Sequence, residues 1–194
     1  MSSRTVRAEL PLSRRLFISG SRSLFFTILL WLAAAAGAIP VPGTPVPITL
    51  QTFVLMLAAL TLDWREAAAS IIAYLTAGAI GLPVFAGGSS TLALVGPSAG
   101  FLFGFLPGVV ITAMLRGTAN THGLAGYAWT AARHLFACIV GCVVVVYAVG
   151  FLVQSALTGM PLGAVALASA VFMVGDLIKA VVVSLAVSGL ARLF

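Results

Sequence analysis

Charge is what this sequence has least of. Ten Lys and Arg and four Asp and Glu amount to 7% of 194 residues, against 61% hydrophobic residues and a mean hydropathy of +1.19. A chain so short of charge cannot cover a water-facing surface, which excludes a soluble globular protein and predicts an integral membrane protein. There is a single lysine, Lys179. It lies outside any Gly-rich phosphate loop, so the chain is no P-loop ATPase, and any coupling to ATP must come from partners. Cysteine is scarce as well. Cys138 and Cys142 sit one helical turn apart in an apolar segment, where disulfide geometry is hard to reach, and they read as small core residues. Two His, two Cys and four acids are scattered without ligand spacing apart from that Cys pair, so neither a metal nor a cofactor is expected.

Catalytic patterns are equally thin. "GPSAG" at 96–100 fits the nucleophile-elbow wording, but no strand pattern precedes Ser98. His122 and His134 belong to the opposite membrane side in the topology derived below. An enzyme is not expected. The net charge of +6 would suggest a nucleic-acid partner for a soluble protein. Here it reports topology instead, and no nucleic acid is expected.

What is present is apolar sequence in runs. A hydrocarbon core of about 30 Å takes roughly 20 apolar residues per helical crossing. The runs predict a compact all-α bundle of six transmembrane helices near 24–39, 48–62, 66–82, 98–115, 134–156 and 164–191, the second and third short. Arginine placement tests this division. With both termini cytoplasmic, Arg4, Arg7, Arg14, Arg15, Arg22, Arg65, Arg116, Arg133 and Arg192 all fall inside, and the outside connections near 40–47, 83–97 and 157–163 contain no Lys or Arg. The N-terminal "SRRLFI" resembles a twin-arginine signal, yet more membrane sequence follows it. Residues 1–23 are therefore read as a basic cytoplasmic segment and 24–194 as the six-helix domain.

Two regions carry a functional signal. "FMVGDLIKAVVV" at 172–183 puts Asp176 and Lys179 three apart on one helical face, midway along the last span. Ionisable groups at that depth cost about 2.5–3.5 kcal/mol each on insertion scales and usually face the bundle interior. The pair either fastens the last helix to its neighbours or offers spare hydrogen-bonding capacity to an uncharged ligand with N–H and C=O groups. The second region, "GLPVFAGGSSTLALVGPSAGF" at 81–101, is uncharged and Gly-rich, with Phe85, Gly87, Gly88 and Ser89. It is either a flexible connector or a loop folded over an outward-facing cavity. Four prolines in "IPVPGTPVPITLQT" stiffen the approach to Gln51 and Thr52, at the expected cavity mouth. On the first span, Ala34 and Ala38, with Gly37 beside them, form small-xxx-small spacing that suits a close helix contact, either within the bundle or with a partner.

At these residues the chain resembles the BioY family, the biotin-specific membrane subunits of energy-coupling factor (ECF) vitamin transporters. The likeness covers about 40–185 and rests on "PVPITLQT", "GAIGLPVFAGG", "GPSAGFLFGF" and "GDLIK". The family's common "GPTGGY" is altered here at Ser98, Ala99 and Phe101, which removes a tyrosine hydroxyl. The resemblance implies a six-helix substrate-binding (S) component of the bacterial cytoplasmic membrane that captures biotin on the outside. It further implies partnership with a transmembrane coupling protein and two cytoplasmic ABC-type ATPases, the coupling protein docking on the Ala34–Ala38 face. Asp176 would accept from the ureido N–H groups while Lys179 donates to the ureido oxygen or orients the acid. Tyr74 and other apolar residues of spans three to six would house the rest of the ligand, with loop amides, Ser89, Ser90 or solvent at its carboxylate. A self-sufficient secondary transporter using Asp176 as a proton site is the reading of another class.

Overall fold

A computed structural model describes residues 11–120 and 122–191, so Arg4, Arg7 and Arg192 lie outside the described residues. Six helices make up the described residues: α1 (Leu12–Ala35), α2 (Gln51–Thr61), α3 (Trp64–Ala79), α4 (Ala99–Leu115), α5 (Gly123–Thr158) and α6 (Leu162–Leu190). Of these, α1, α5 and α6 are long and apolar enough to cross a membrane. The expected all-helical bundle is found, with two shifted starts. Helix α1 begins at Leu12, so the stretch containing Arg14 and Arg22 is helical, and α5 begins at Gly123 and takes in Arg133.

Local chemistry sets several boundaries. Asp63 caps α3: its carboxylate accepts the Arg65 amide at 3.4 Å while Glu66 accepts the Asp63 amide at 3.2 Å, a reciprocal capping box. Pro161 precedes the first turn of α6, and Gly159 ends α5 in the left-handed conformation with φ of 71°.

Helix α2 has only 11 residues, about 17 Å at 1.5 Å per residue, roughly half a bilayer. The rest of that column is filled by two connections that fold into the bundle. The first, 36–50, is pinned into a hairpin by reciprocal Ile39–Ile48 amide bonds of 2.9 Å. The second, 80–98, carries two short 3₁₀ turns, Ala86–Gly88 and Thr91–Leu94.

Helices α4 and α5 make the tightest contact. Gly100, Gly104 and Gly108, four apart on α4, lie against the α5 backbone. A β-carbon there would sit 2.7 Å from the Val149 carbonyl oxygen, 3.1 Å from that of Val146 and 2.9 Å from that of Gly141 respectively. Small residues are how membrane helices approach closely where lipid supplies no hydrophobic drive. At the same level α5 passes through a π-helical segment, Ile139–Val145. It takes up one residue of mismatch between α5 and α6. His134 to Tyr147 is 13 residues on α5, whereas their partners Ser188 and Asp176 are 12 apart on α6.

The arginines collect at one end. Arg22 bonds Glu66 at 2.9 Å and donates to the Thr61 carbonyl at 3.1 Å; Arg116 donates to the Leu60 carbonyl; Arg133 donates to the Leu115 carbonyl at 3.3 Å. The guanidinium groups thereby cap the C-terminal carbonyls of α2 and α4, where the helix dipole favours positive charge.

Candidate functional site

Opposite the arginine end, a cavity of about 380 Å³ opens between the two folded connections and α4, α5 and α6. Asp176 and Lys179 lie on its α6 wall. Asp176 Oδ1 accepts from the Thr52 hydroxyl at 2.6 Å and from Lys179 Nζ at 2.8 Å, and Oδ2 accepts from the Tyr147 hydroxyl at 2.7 Å. Lys179 Nζ also donates to the Thr49 carbonyl at 2.7 Å and to Thr52 Oγ1 at 3.0 Å. An ammonium has three hydrogens, and all three are engaged. The pair fastens α6 to the start of α2 and faces the cavity, but Lys179 keeps no hydrogen to spare for a ligand.

The capacity left for a ligand belongs to other atoms. Asp176 Oδ2 and the Tyr147 oxygen each keep a lone pair directed at no described residue, and the Gln51 amide keeps one N–H. Together they offer acceptors for two N–H groups and a donor for one C=O. The cluster carries one charge of each sign within 2.8 Å, the arrangement that makes a buried ion pair tolerable.

The remaining wall is apolar. Phe101, Tyr147 and Phe172 interlock, with ring centroids 5.7 to 6.0 Å apart. Leu102 and Phe105 continue the wall along α4. Pro45 to Ile48 close one side, and Phe85, Ala86, Ser89 and Leu92 the other. Phe101 fills the place of the tyrosine in the family wording with a ring alone. Gly100 has no room for a β-carbon against α5, whereas Ala99 is accommodated.

Asp176, Lys179, Gln51, Thr52, Phe85 and Ser89 thus meet at one cavity. Three further expectations change. Gly87 and Gly88 do not line it; their positive φ values of 67° and 72° form the turn that carries Phe85 and Ser89. Tyr74 is fully buried behind the wall, its ring edge-on to Phe85 and its hydroxyl bonded to Gln51 and Val84. It does not line the cavity, because Gln51 and Phe85, which do, stand between it and the opening. Finally, no small-residue face joins Ala34 to Ala38. Helix α1 ends at Ala35, so i,i+4 spacing no longer means a shared face, and Ala34 is 1% exposed inside its own bundle, with Gly37 exposed beyond the helix end.

Sequence reasoning missed Tyr147 and Phe172. The available signal for Tyr147 was a single hydroxyl inside "VVVVYAVG", a polar group that needs a partner at that depth. The glycine run at 100, 104 and 108 was a second unused signal.

The fold aligns with a crystal structure described as the S-component for biotin from an ECF-type ABC transporter, with a TM-score of 0.81 and 26% identity, over 93% of this chain and 94% of that one. Three curated relatives are named "Biotin transporter BioY". The protein from Rhizobium etli is 38% identical over 73% of this chain and 75% of its own length. That from Thermotoga maritima is 34% identical over 80% and 86%, and that from Rhodobacter capsulatus 36% identical over 83% and 88%. The family model described as "BioY family" matches residues 13–194, and on that match, together with these relatives, the chain belongs to the BioY family.

Proposed function

We propose that this multi-pass membrane protein captures biotin as the substrate-binding component of an ECF-type transporter. The observation that carries the reading is the Asp176 cluster, whose free acceptors and single free donor sit in an otherwise apolar cavity. A ureido ring offers two N–H groups and one carbonyl. Asp176 Oδ2 and the Tyr147 oxygen take the N–H groups, and the Gln51 amide meets the carbonyl. Lys179 orients the acid and ties it to Thr49. The thiophane ring and valeryl chain lie against Phe101, Phe172 and Leu102, an apolar wall with few polar anchors as ligand pockets usually have. The carboxylate meets the Ala86 amide at the mouth, or the Ser89 hydroxyl once that proton leaves the Ala86 carbonyl.

By the positive-inside rule the arginine end is cytoplasmic, which gives six crossings, both termini inside and a cavity that faces out. A transmembrane coupling protein and two cytoplasmic ATPases supply the energy, in keeping with the description of the aligned S-component as part of an ECF-type ABC transporter. Because Ala34 is packed internally, the coupling protein docks elsewhere than on the Ala34–Ala38 line.

Isothermal titration of the purified chain with biotin tests the reading. One-to-one saturable binding is expected; no heat and no binding would discard it.

A further inference from the structure

We infer that Tyr74, which lines no cavity, is a positioning residue that locks the two outer connections to each other and to Lys179. The inference rests on the biotin reading above. It starts from a chain of hydrogen bonds across the top of the bundle. Lys179 Nζ donates to the Thr49 carbonyl at 2.7 Å, and the Thr49 hydroxyl donates to Gln51 Oε1 at 3.0 Å. Gln51 Nε2 then donates to the Tyr74 hydroxyl oxygen at 2.6 Å, and that hydroxyl donates to the Val84 carbonyl at 2.9 Å.

From the Thr49 hydroxyl to Val84 the chain runs in one direction only, and Lys179 joins it through the Thr49 backbone carbonyl. A backbone carbonyl can only accept, so the Tyr74 proton must go to Val84. The Tyr74 oxygen must then accept, which turns the Gln51 amide nitrogen toward it and leaves Gln51 Oε1 for the Thr49 hydroxyl. Tyr74 is 0% exposed behind the cavity wall, so water offers its hydroxyl no substitute partner. Donor-to-acceptor chains in such surroundings polarise one another, and breaking one link weakens the rest.

At its far end the chain fixes a cavity wall. Val84 precedes Phe85, whose ring stands edge-on to Tyr74 at 5.2 Å in a space left open by Gly78. The Phe85 amide and the Ser89 carbonyl close the next turn at 3.0 Å. At the near end, Thr49 terminates the 36–50 hairpin that supplies Pro45 to Ile48 to the opposite wall. The two walls belong to segments more than 30 residues apart, and this chain joins them to the α6 pair. Tyr74 therefore contributes to ligand retention without touching the ligand.

Tyr74→Phe keeps the ring and removes the hydroxyl. Loss of one buried link of about 1 kcal/mol predicts roughly fivefold weaker biotin binding, carried mainly by faster dissociation. Hydrogen–deuterium exchange gives a readout that local packing would not move. Amides of both 82–90 and 44–49 should exchange faster in Tyr74→Phe, although Tyr74 bonds only the first segment directly. In a double-mutant cycle, Tyr74→Phe with Thr49→Val should weaken binding about as much as either alone, because both interrupt one chain. Faster exchange confined to 82–90, or a double variant whose loss is the product of the two singles, would overturn the inference. A wild-type chain that fails to bind biotin would instead refute the proposed function.

Discussion

Asp176 and Lys179 differ in what their removal should do. Asp176→Asn replaces an acceptor with an N–H2 group that confronts donors already in place, yet Lys179 keeps Thr49 and Thr52 as acceptors. Binding should fall at least about tenfold, roughly 1.4 kcal/mol, and the melting temperature should fall modestly, because the ammonium left unpaired is the more exposed partner at 15% and borders the cavity. Lys179→Met leaves the more deeply buried partner, a carboxylate 5% exposed, without its counter-charge and releases the Thr49 carbonyl, while Thr52 still ties α2 to Asp176. Titration should show a similar loss of affinity, and thermal unfolding in detergent should show a larger drop than for Asp176→Asn. Equal melting temperatures for the two variants would contradict the division of roles. The pair was legible in the sequence because an acid and a base in an apolar run are costly and therefore conspicuous. Tyr147 was not: a tyrosine in such a run passes for core, and only the phase of α5 relative to α6 decides that its hydroxyl reaches Asp176. Tyr74 was assigned to the ligand because periodicity in the 16-residue α3 cannot distinguish a wall from what stands behind it.

At the scale of elements, the glycine contact between α4 and α5 holds the Phe101 wall against Tyr147. Gly104→Leu would drive a side chain into the Val146 backbone, where the β-carbon alone meets atoms at 3.1 Å. Overpacking of this kind costs about 1–3 kcal/mol. The variant should melt at a lower temperature and bind biotin more weakly, since the displaced helices form the cavity. Ala34→Trp belongs to the same class. The alanine is buried in its own bundle, so the isolated chain itself should lose stability, measurable without any coupling protein present. The number of helices was legible from apolar run length. The starts of α1 and α5 were not, because "LSRRLFISGS" and "GLAGYAWTAA" mix charge, glycine and small residues that carry no apolar boundary, yet remain helical. The π-helical segment has no sequence signature of its own; it follows from fitting two helices with unequal spacing between their partners.

For the molecule as a whole, polar function divides by end: guanidinium groups at one, the cavity at the other. That division predicts accessibility. With Cys138 and Cys142 replaced, Leu92→Cys, 80% exposed beside the cavity, should react with a membrane-impermeant maleimide in intact cells. Leu124→Cys, 77% exposed at the arginine end, should react only after permeabilisation. The reverse pattern would invert the proposed topology. In liposomes, the chain alone should retain biotin without accumulating it under a pH gradient; accumulation would favour the secondary-transport reading.

The arginine caps carry a final consequence. Arg22 and Arg116 finish α2, and Arg133 finishes α4, so the groups that the insertion machinery sorts by sign are also the plugs of two helix ends. A helix inserted backwards relative to its neighbours would carry its guanidinium group to the far side of the bilayer and leave the carbonyls it plugs open. For this bundle, the misorientation of one helix and the loss of a neighbouring helix cap are a single failure.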